Sequence, residues 1–479
     1  MQDSAHMLPA PPMKANGLTA TSILVVFSLM IMVPSPMQAL PAYAPEGASG
    51  SAEDVEGDWV GLMEPGEQMF EIRISFVREG DKWQGGLQLP HESDRVAELQ
   101  DVAVDGKHVE FSAFGGRFSF EGSQENGAIV GQLSAGGPDL AIRFVRVESE
   151  EAERLLAELA DHRDQMRGAA LPLTDRGPAY DRVDQEALNE LEEAAQASQT
   201  TAMVVLHEGE LVGQWHRGDP DALIETMSVT KAVLNLIFGR LYTLGLIESL
   251  DTPVAEFYPE WEEGPKADIT IRHLLAHTSG LRPGMPTHDI YDSGDVIAHA
   301  LDVPLESEPG EEVQYNNNGA NLLAGIAGKA ADEPLDEFVA RELLEPVGIT
   351  EFQWTADEAG HPMGMAGLQL SARDLATLGQ LAAKHGRLDE QQQLIEAEWF
   401  EQSFRPGSQL SDEIGLLWFL LHDEGERVGA MHSGHLGQWL VLYPEEGLVG
   451  VRLIQATAAY DRERDAFEAF PEMLRTLSP

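Results

Sequence analysis

The feature that most constrains the fold is a change of hydrophobic pattern partway along the chain. From residue 57 to 147, short runs alternate apolar and polar side chains between glycine-containing turns, as in FEIRISFV from Phe70 and HVEFSAF from His108. Alternation with a period of two places one set of side chains on each face of a strand. These residues therefore predict a small all-β barrel or sandwich.

The sequence after residue 171 mixes helical and strand patterns. TAMVVLHEGELVGQWH from Thr201 predicts two strands around a Glu208-Gly209 turn, and a long helix is predicted from about Met227 to Leu244. The strand-like segments GAMHSGHLGQWLVLYP and GLVGVRLIQA follow, and a last helix is expected from Arg462 to Leu477. Strands at both ends with helices between them predict an α+β unit, an antiparallel sheet flanked by helices plus a helical lobe.

The N-terminus carries a pattern typical of export. The apolar run ILVVFSLMIMV from Ile23 is preceded by Lys14 and followed by prolines and small residues. Eleven apolar residues suit the core of a signal peptide and are short for a membrane span. We therefore expect a signal peptide over residues 1–44 and a periplasmic or secreted protein without stable membrane insertion once the leader is removed. An uncleaved anchor is the alternative. A linker (45–56), the all-β unit (57–147), an acidic helical connector (148–170) and the α+β unit (171–479) follow.

The charge balance excludes some classes of partner. The chain has 81 acidic and 31 basic residues, a formal net charge of −50, and only seven lysines. Such a field repels nucleic acid and anionic membranes. It indicates either general solubility or adaptation to high salt, where screening relieves self-repulsion. Cysteine is absent, which excludes disulfides, thiolate metal sites and a cysteine nucleophile.

Ser228 and Lys231 are the first candidate catalytic residues. A serine at the start of a helix is often only a cap. Here the lysine follows one helical turn later, and the next residues, AVLNLIFGRLYTLGLI, are so apolar that the helix is expected to be buried. Burial lowers the pKa of an amine towards a value useful for a base. The pair therefore favours a serine nucleophile with a neighbouring lysine base.

Further candidates lie later in the chain. Tyr315-Asn316-Asn317 follows a Pro-Gly turn, and its phenol can relay a proton while the Asn317 amide can hold a substrate carbonyl and the lysine. A plain asparagine-rich turn is the alternative. His432-Ser433-Gly434-His435 lies on a predicted strand that can offer a backbone N–H as an oxyanion donor. Either histidine can instead be an ordinary strand residue.

These motifs together resemble the serine β-lactamase-related family, which includes class C β-lactamases, DD-peptidases and family VIII-type carboxylesterases. Ser228-x-x-Lys231 and Tyr315-x-Asn317 match its first two motifs. ITIRHLLAHTSGL from Ile269 and GLQLSARDLATLGQLAAKHG from Gly367 resemble two further family segments. The resemblance covers about residues 171 to 479. It implies catalytic roles for Ser228, Lys231 and Tyr315, and substrate contacts for Asn317 and the His432 strand.

The third motif departs from the family pattern. Where the β-lactamases and DD-peptidases carry Lys-Thr-Gly, this chain has His432-Ser433-Gly434. An imidazole binds a substrate carboxylate less reliably than a fixed ammonium does. The resemblance therefore implies an ester or amide hydrolase rather than an efficient β-lactamase, with His432 and Gly434 facing the substrate and the His435 N–H as the second oxyanion donor.

No cofactor or metal is expected, because the chain has no H-E-x-x-H, P-loop or dinucleotide fingerprint. His273 and His277 stand four residues apart without an acidic residue between them, and the resemblance gives that segment a structural role. The expected partner is a small ester, amide or peptide substrate. The competing hypothesis is a catalytically weak, penicillin-binding-like sensor or peptidoglycan-binding protein.

Overall fold

The computed structural model describes residues 55–478 except 65–68, 81, 91–95, 114–117, 135–138, 169, 286, 292 and 456–459. The predicted leader and nearly all of the predicted linker lie outside these residues. Within the described part of the chain, no helix is both long and apolar enough to cross a membrane.

The first unit is an antiparallel, nearly closed barrel. Its strands are β1 (Gly57–Met63), β2 (Phe70–Glu79), β3 (Lys82–Gln88), β4 (Val96–Glu98), β5 (Gln100–Asp105), β6 (His108–Ala113), β7 (Phe118–Glu125), β8 (Ala128–Ser134) and β9 (Leu140–Arg146). They are ordered β4-β3-β2-β1-β9-β8-β7-β6-β5. The two edge strands, β4 and β5, are separated only by Leu99, whose N–H donates to Gly85 O at 2.9 Å. The two edges of the sheet therefore meet, which confirms the predicted all-β unit.

Aromatic side chains fill the barrel. Phe111 stacks on Phe120 with ring centroids 5.1 Å apart, and Phe120 meets Phe144 edge to face at 5.6 Å. All three are buried, as the alternating pattern of their strands predicts. Helix α1 (Glu150–Gly168) follows, and its buried residues Ala152 and Leu159 pack on the barrel.

The second unit is built on a seven-stranded sheet with the order β10-β12-β11-β19-β18-β17-β16, and a small sheet has the order β13-β15-β14. The strands are β10 (Leu173–Arg176), β11 (Ala202–His207), β12 (Glu210–His216), β13 (Ile224–Glu225), β14 (Gln353–Trp354), β15 (Leu368–Leu370), β16 (Phe419–Asp423), β17 (Glu426–Gly434), β18 (Gln438–Tyr443) and β19 (Leu448–Leu453). All pairs in both sheets are antiparallel. Glu208 and Gly209 both adopt a positive φ in the β11–β12 turn, as expected for a tight hairpin.

Helices cover both faces of the large sheet. They are α2 (Gln185–Ala197), α3 (Thr230–Thr243), α4 (Ile271–Leu275), α5 (His288–Tyr291), α6 (Val296–Asp302), α7 (Asn317–Ala331), α8 (Leu335–Val339), α9 (Ala372–Ala383), α10 (Ala397–Ser403), α11 (Arg462–Asp465) and α12 (Phe470–Arg475). Val204 and Val451 face a core shared with α3 and α9, whereas Val205 and Val441 face a core shared with α2 and α12. This arrangement confirms the predicted α+β class.

Helix α3 lies inside the larger of these cores. Phe238 and Leu241 on it are fully buried, and burying such a side chain contributes about 1.5–3 kcal/mol. The polar Asn235 is buried at its centre and donates to Ser403 Oγ and Leu416 O. Because the helix is surrounded, a lysine in its first turn is removed from water as well.

The predicted last helix, Arg462 to Leu477, is wrong as a single element. The structure has two short helices, α11 and α12, with Phe467 at a φ of +50° between them. Ala466 O accepts from the Trp439 indole and Asp465 O accepts from Arg452, so contacts with the sheet take up these carbonyls. Pro471 lies in the first turn of the second helix, where a proline is well tolerated.

Candidate active site

Ser228 lies in a short 3-10 turn, Met227–Val229, immediately before α3. The turn is fixed to β15 from both sides: Thr226 N–H and Oγ1 donate to Leu368 O at 2.9 Å, and Leu368 N–H donates to Thr230 Oγ1. Met227 has a φ of +50°, a strained conformation for a side chain of its size. Ser228 remains partly exposed and makes no N-terminal cap, which sets aside the simple capping interpretation.

Lys231 is fully buried one turn behind Ser228. Its Nζ lies 3.2 Å from Ser228 Oγ and donates to Met365 O at 2.6 Å. Both partners are neutral, so neither stabilises the ammonium as a carboxylate would. Burial lowers the pKa of Lys231 well below its ordinary value. An amine with a lowered pKa at this distance can accept a proton from the serine hydroxyl.

The Tyr315 side chain completes a three-residue group. Its phenol is hydrogen-bonded to Ser228, and its ring lies with its centroid 4.8 Å from Lys231 Nζ. Burial raises the pKa of Tyr315 above its ordinary value, so the phenol keeps its proton at neutral pH. The structure thus brings the three residues predicted as catalytic into mutual contact.

His277 lies against this group and was not predicted from sequence as a site residue. Its ring centroid is 4.8 Å from that of Tyr315, and its Nδ1 accepts from Asn316 N–H at 3.2 Å. Its φ is +57°, and burial together with the Lys231 charge lowers its pKa to about 3. A neutral imidazole ring therefore packs against the tyrosine ring. In the sequence, the only signal for His277 as a site residue was its position in the HTSGL segment.

Strand β17 passes directly in front of the Ser228 turn. A Cβ added at Gly434 would stand 2.7 Å from Thr226 O and 2.9 Å from Met227 Cβ, so only glycine allows this approach. Ala430 and His432 share the face of Gly434, because side chains alternate along a strand. The end of β17 therefore packs directly against the turn that carries Ser228.

The two candidate histidines have different surroundings. His432 is buried with its ring centroid 5.2 Å from that of Phe419, and burial together with the Lys231 charge lowers its pKa well below the ordinary value. Its Nδ1 lies 2.9 Å from Ser433 O, which can only accept, so Nδ1 carries the proton. Burial also lowers the pKa of His435, to about 4, but there the neighbouring charge is Arg462. Of the two, His432 is the ring whose charge environment includes Lys231.

The Asn317 amide nitrogen has its contacts on the loop after α4. Its Nδ2 lies 3.4 Å from Gly284 O and 3.3 Å from the Met285 sulfur. The amides on either side bind the same loop: Asn316 Nδ2 donates to Leu281 O and Asn318 Nδ2 to Arg282 O. The asparagine run therefore holds the loop after α4 beside the site.

Two further residues near the site were not predicted from sequence. Met365 contacts Lys231 through its backbone carbonyl, and no sequence motif marks such a contact. The Met365 N–H donates to Asn321 Oδ1 at 3.0 Å. Glu225 is hydrogen-bonded to the backbone of Gly367, and burial raises its pKa to about 7. Both contacts stabilise the segment that carries the Lys231 acceptor.

One group of described residues has the geometry of metal ligands: Asp295, Asp357 and His361. Its oxygens already have other roles. Asp295 caps α6, and Asp357 accepts from Val296 N–H and His361 N–H. These hydrogen bonds give the group a structural role: they hold the start of α6 against the Asp357–His361 turn.

The two histidines of HLLAH also have backbone partners. His273 Nδ1 accepts from Thr270 N–H in a capping box, and His277 Nδ1 accepts from Asn316 N–H. One ring nitrogen of each is therefore used locally, in agreement with the structural role that the resemblance implied for this segment.

Comparison with known proteins agrees with this geometry. The family model for beta-lactamase matches residues 188–470. Beta-lactamase-like protein 2 of Dictyostelium discoideum is 30% identical over 149 residues, which are 29% of this chain and 27% of that protein. Esterase EstB of Burkholderia gladioli is 28% identical over 159 residues, 29% of this chain and 40% of that protein. The matches thus span less than half of these relatives' own lengths.

Solved structures show the same fold. EstCE1, a hydrolase with promiscuous acyltransferase activity, superposes with a TM-score of 0.51 at 16% identity, covering 62% of this chain and 99% of that one. A candidate 6-aminohexanoate-dimer hydrolase from Bacillus anthracis has a TM-score of 0.51 at 21% identity, covering 64% and 87%. At these identities the similarity concerns the fold alone.

Proposed function

The chain belongs to the beta-lactamase family, and we propose that it is a serine hydrolase that forms an acyl-enzyme on Ser228. One observation carries the proposal: the buried Lys231 amine lies 3.2 Å from Ser228 Oγ, and its other hydrogen-bond acceptor, Met365 O, is neutral. A neutral amine at that distance is a general base for a hydroxyl nucleophile.

The proposed acylation uses the three contacting side chains. Ser228 Oγ attacks the substrate carbonyl carbon while its proton passes to Lys231 Nζ. Tyr315 stays protonated, because burial raises its pKa. As the tetrahedral intermediate collapses, the phenol donates its proton to the leaving group and recovers one from the Lys231 ammonium. The acyl group remains on the serine, and the alcohol or amine departs neutral.

Two backbone N–H groups are proposed to stabilise the oxyanion, those of Ser228 and His435. The close approach of Gly434 to Thr226 and Met227 supports this pairing, because it brings the end of β17 against the serine turn. Removal of one such donor typically costs about 10²- to 10³-fold in kcat. Water, activated by the Lys231 amine, then hydrolyses the acyl-enzyme.

The charge of the site favours uncharged esters or amides as substrates. Burial lowers the pKa of Lys231, His277 and His432, which disfavours the charged form of all three side chains. None of them then supplies the fixed positive charge that a carboxylate-bearing β-lactam or peptide requires. The half-buried Phe419 adds an aromatic surface beside Tyr315, with ring centroids 6.3 Å apart. The esterase name of one relative agrees with this preference.

The test is the hydrolysis of a p-nitrophenyl ester of a short acid. Ser228→Ala should lose turnover while the circular dichroism spectrum stays unchanged, because it deletes one oxygen and few packing atoms. Tyr315→Phe should be slowed by about 10²- to 10⁴-fold through loss of the proton relay. Ser249→Ala, at an exposed serine of the same unit, is the control and should match the wild type.

Substantial ester hydrolysis by purified Ser228→Ala would refute the nucleophile. An inactive wild-type enzyme that is nevertheless acylated by a β-lactam would favour the competing hypothesis of a penicillin-binding-like sensor.

A further inference from the structure

Arg452 on β19 is a buried cation with a complete set of partners. Its side chain is fully buried, and all five of its N–H groups are accounted for. Nε donates to Thr200 Oγ1 at 2.9 Å, and Nη2 donates to Ser198 O at 2.7 Å and Asp465 O at 2.8 Å. Nη1 donates to Leu436 O at 3.1 Å and Gly437 O at 2.7 Å.

These acceptors belong to three separate parts of the chain. Ser198 and Thr200 lie between α2 and β11, Asp465 ends α11, and Leu436 and Gly437 form the turn between β17 and β18. A planar guanidinium can hold several carbonyls in fixed directions, which a single ammonium cannot. Burying a charge is costly, so the five hydrogen bonds are needed to offset the loss of hydration.

The turn that Arg452 holds is strained. Leu436 has a φ of +68°, a conformation that costs a leucine about 1–2 kcal/mol. Gly437 has a φ of +86°, and an added Cβ there would lie 2.2 Å from Ala466 O. Without an external restraint, this segment would relax to an ordinary conformation and move the residue before it.

That preceding residue is His435, whose N–H is the second oxyanion donor of the proposed mechanism. We infer that Arg452 is a positioning residue for the oxyanion hole: it fixes the Leu436–Gly437 turn and thereby the direction of the His435 N–H. The inference rests on the proposed serine hydrolase function. It assigns a role in that function to a side chain on β19, which does not itself contact the substrate.

The readout must separate oxyanion stabilisation from general damage to the fold. An ester develops its negative charge on oxygen, whereas the matching thionoester develops it on sulfur, a weaker hydrogen-bond acceptor. The ratio of kcat/KM for the ester to that for the thionoester therefore reports the donors of the oxyanion hole. A general loss of folded enzyme lowers both rates equally and leaves the ratio unchanged.

Arg452→Lys keeps the charge but cannot bridge the five acceptors. We expect kcat for the ester to fall by about 10- to 100-fold, with KM within twofold, and the ester preference to fall about tenfold. Arg217→Lys is the matched control. Arg217 also binds carbonyls of the neighbouring segment, Thr200 O and Gln196 O, and the preference should stay at the wild-type value.

Thr200→Val provides a milder second variant. It removes the Nε acceptor and the 3.4 Å contact with Ser198 Oγ, but it keeps both hydrogen bonds from Arg452 to the turn. It should lower the preference by a smaller factor, about two- to threefold. A wild-type preference in folded Arg452→Lys would overturn the inference; if that variant does not fold, a wild-type preference in Thr200→Val does so. Ester turnover that survives Ser228→Ala would instead remove the proposed function and this inference with it.

Discussion

Lys231→Met should change how the free energy of unfolding depends on pH. In the native protein, burial lowers the pKa of Lys231 well below 10.5, whereas the unfolded chain titrates near the ordinary value. Below 10.5 the unfolded state therefore binds a proton that the native state lacks, until the pH reaches the native pKa. Over that window, the stability of the wild type falls as pH falls.

The slope follows from linkage. One proton taken up on unfolding changes the free energy of unfolding by about 1.4 kcal/mol per pH unit. The methionine variant has no such proton, so the stability of the wild type relative to the variant should rise by about 1.4 kcal/mol for each unit of rising pH. The variant also leaves Met365 O without its 2.6 Å hydrogen bond, which costs about 1–3 kcal/mol but does not depend on pH. The pH dependence of the stability difference therefore reports only the proton that Lys231 binds on unfolding.

The assay is urea unfolding of both proteins at pH 7.5, 8.5 and 9.5, with the difference in free energy compared across pH. Other titrating groups are common to both proteins and cancel. Lys384→Met, at an exposed lysine of the same unit, should differ from the wild type by a constant amount. Parallel pH profiles for the wild type and Lys231→Met would mean that the amine keeps its proton on folding, and the general-base role would fall.

The remaining predictions concern the third motif and the surface charge. His432→Ala should lower kcat/KM for an ester at least tenfold more than His435→Ala, because the His432 ring lies beside Phe419 and its pKa is coupled to the protonation of Lys231; a larger loss in His435→Ala would exchange their roles. His432→Lys should raise the rate on a chromogenic cephalosporin relative to the ester by adding a fixed positive charge, and an unchanged ratio would exclude that reason for the substrate preference. The melting temperature should rise between low and molar salt, because screening relieves the repulsion of a −50 chain; a flat or falling curve would leave general solubility as the explanation of the acidic composition.

Local patterns were enough to predict most of the fold. Period-two alternation located the barrel strands, because each strand has one face in the core. The apolar run after Lys231 predicted the burial of α3, and that burial gives the lysine its lowered pKa. The C-terminal helix was mispredicted because its interruption depends on two residues of the sheet, Trp439 and Arg452, which bind the carbonyls at the break.

The candidate site was predictable only where a motif carries its chemistry in side chains. Residue type and spacing were enough to predict Ser228, Lys231 and Tyr315 as site residues. The Met365 carbonyl has no side-chain signature, so nothing in the sequence marks it. Asn317 fits a motif, yet its Nδ2 lies against Gly284 O and Met285. A motif thus fixes which residue is present but not which neighbour its side chain contacts.

The two proposed oxyanion donors share a feature that no local pattern specifies. Each lies next to a side chain in the left-handed region: Met227 precedes Ser228 at a φ of +50°, and Leu436 follows His435 at +68°. Each such residue destabilises the native state by about 1–3 kcal/mol, so the surrounding structure must hold it in place. The first is held through Thr226 and β15, the second through Arg452 on β19. Met227 and Leu436 also belong to one small apolar cluster. Because the restraints come from two different sheets, the proposed oxyanion hole depends on the assembled fold rather than on the motif that marks it.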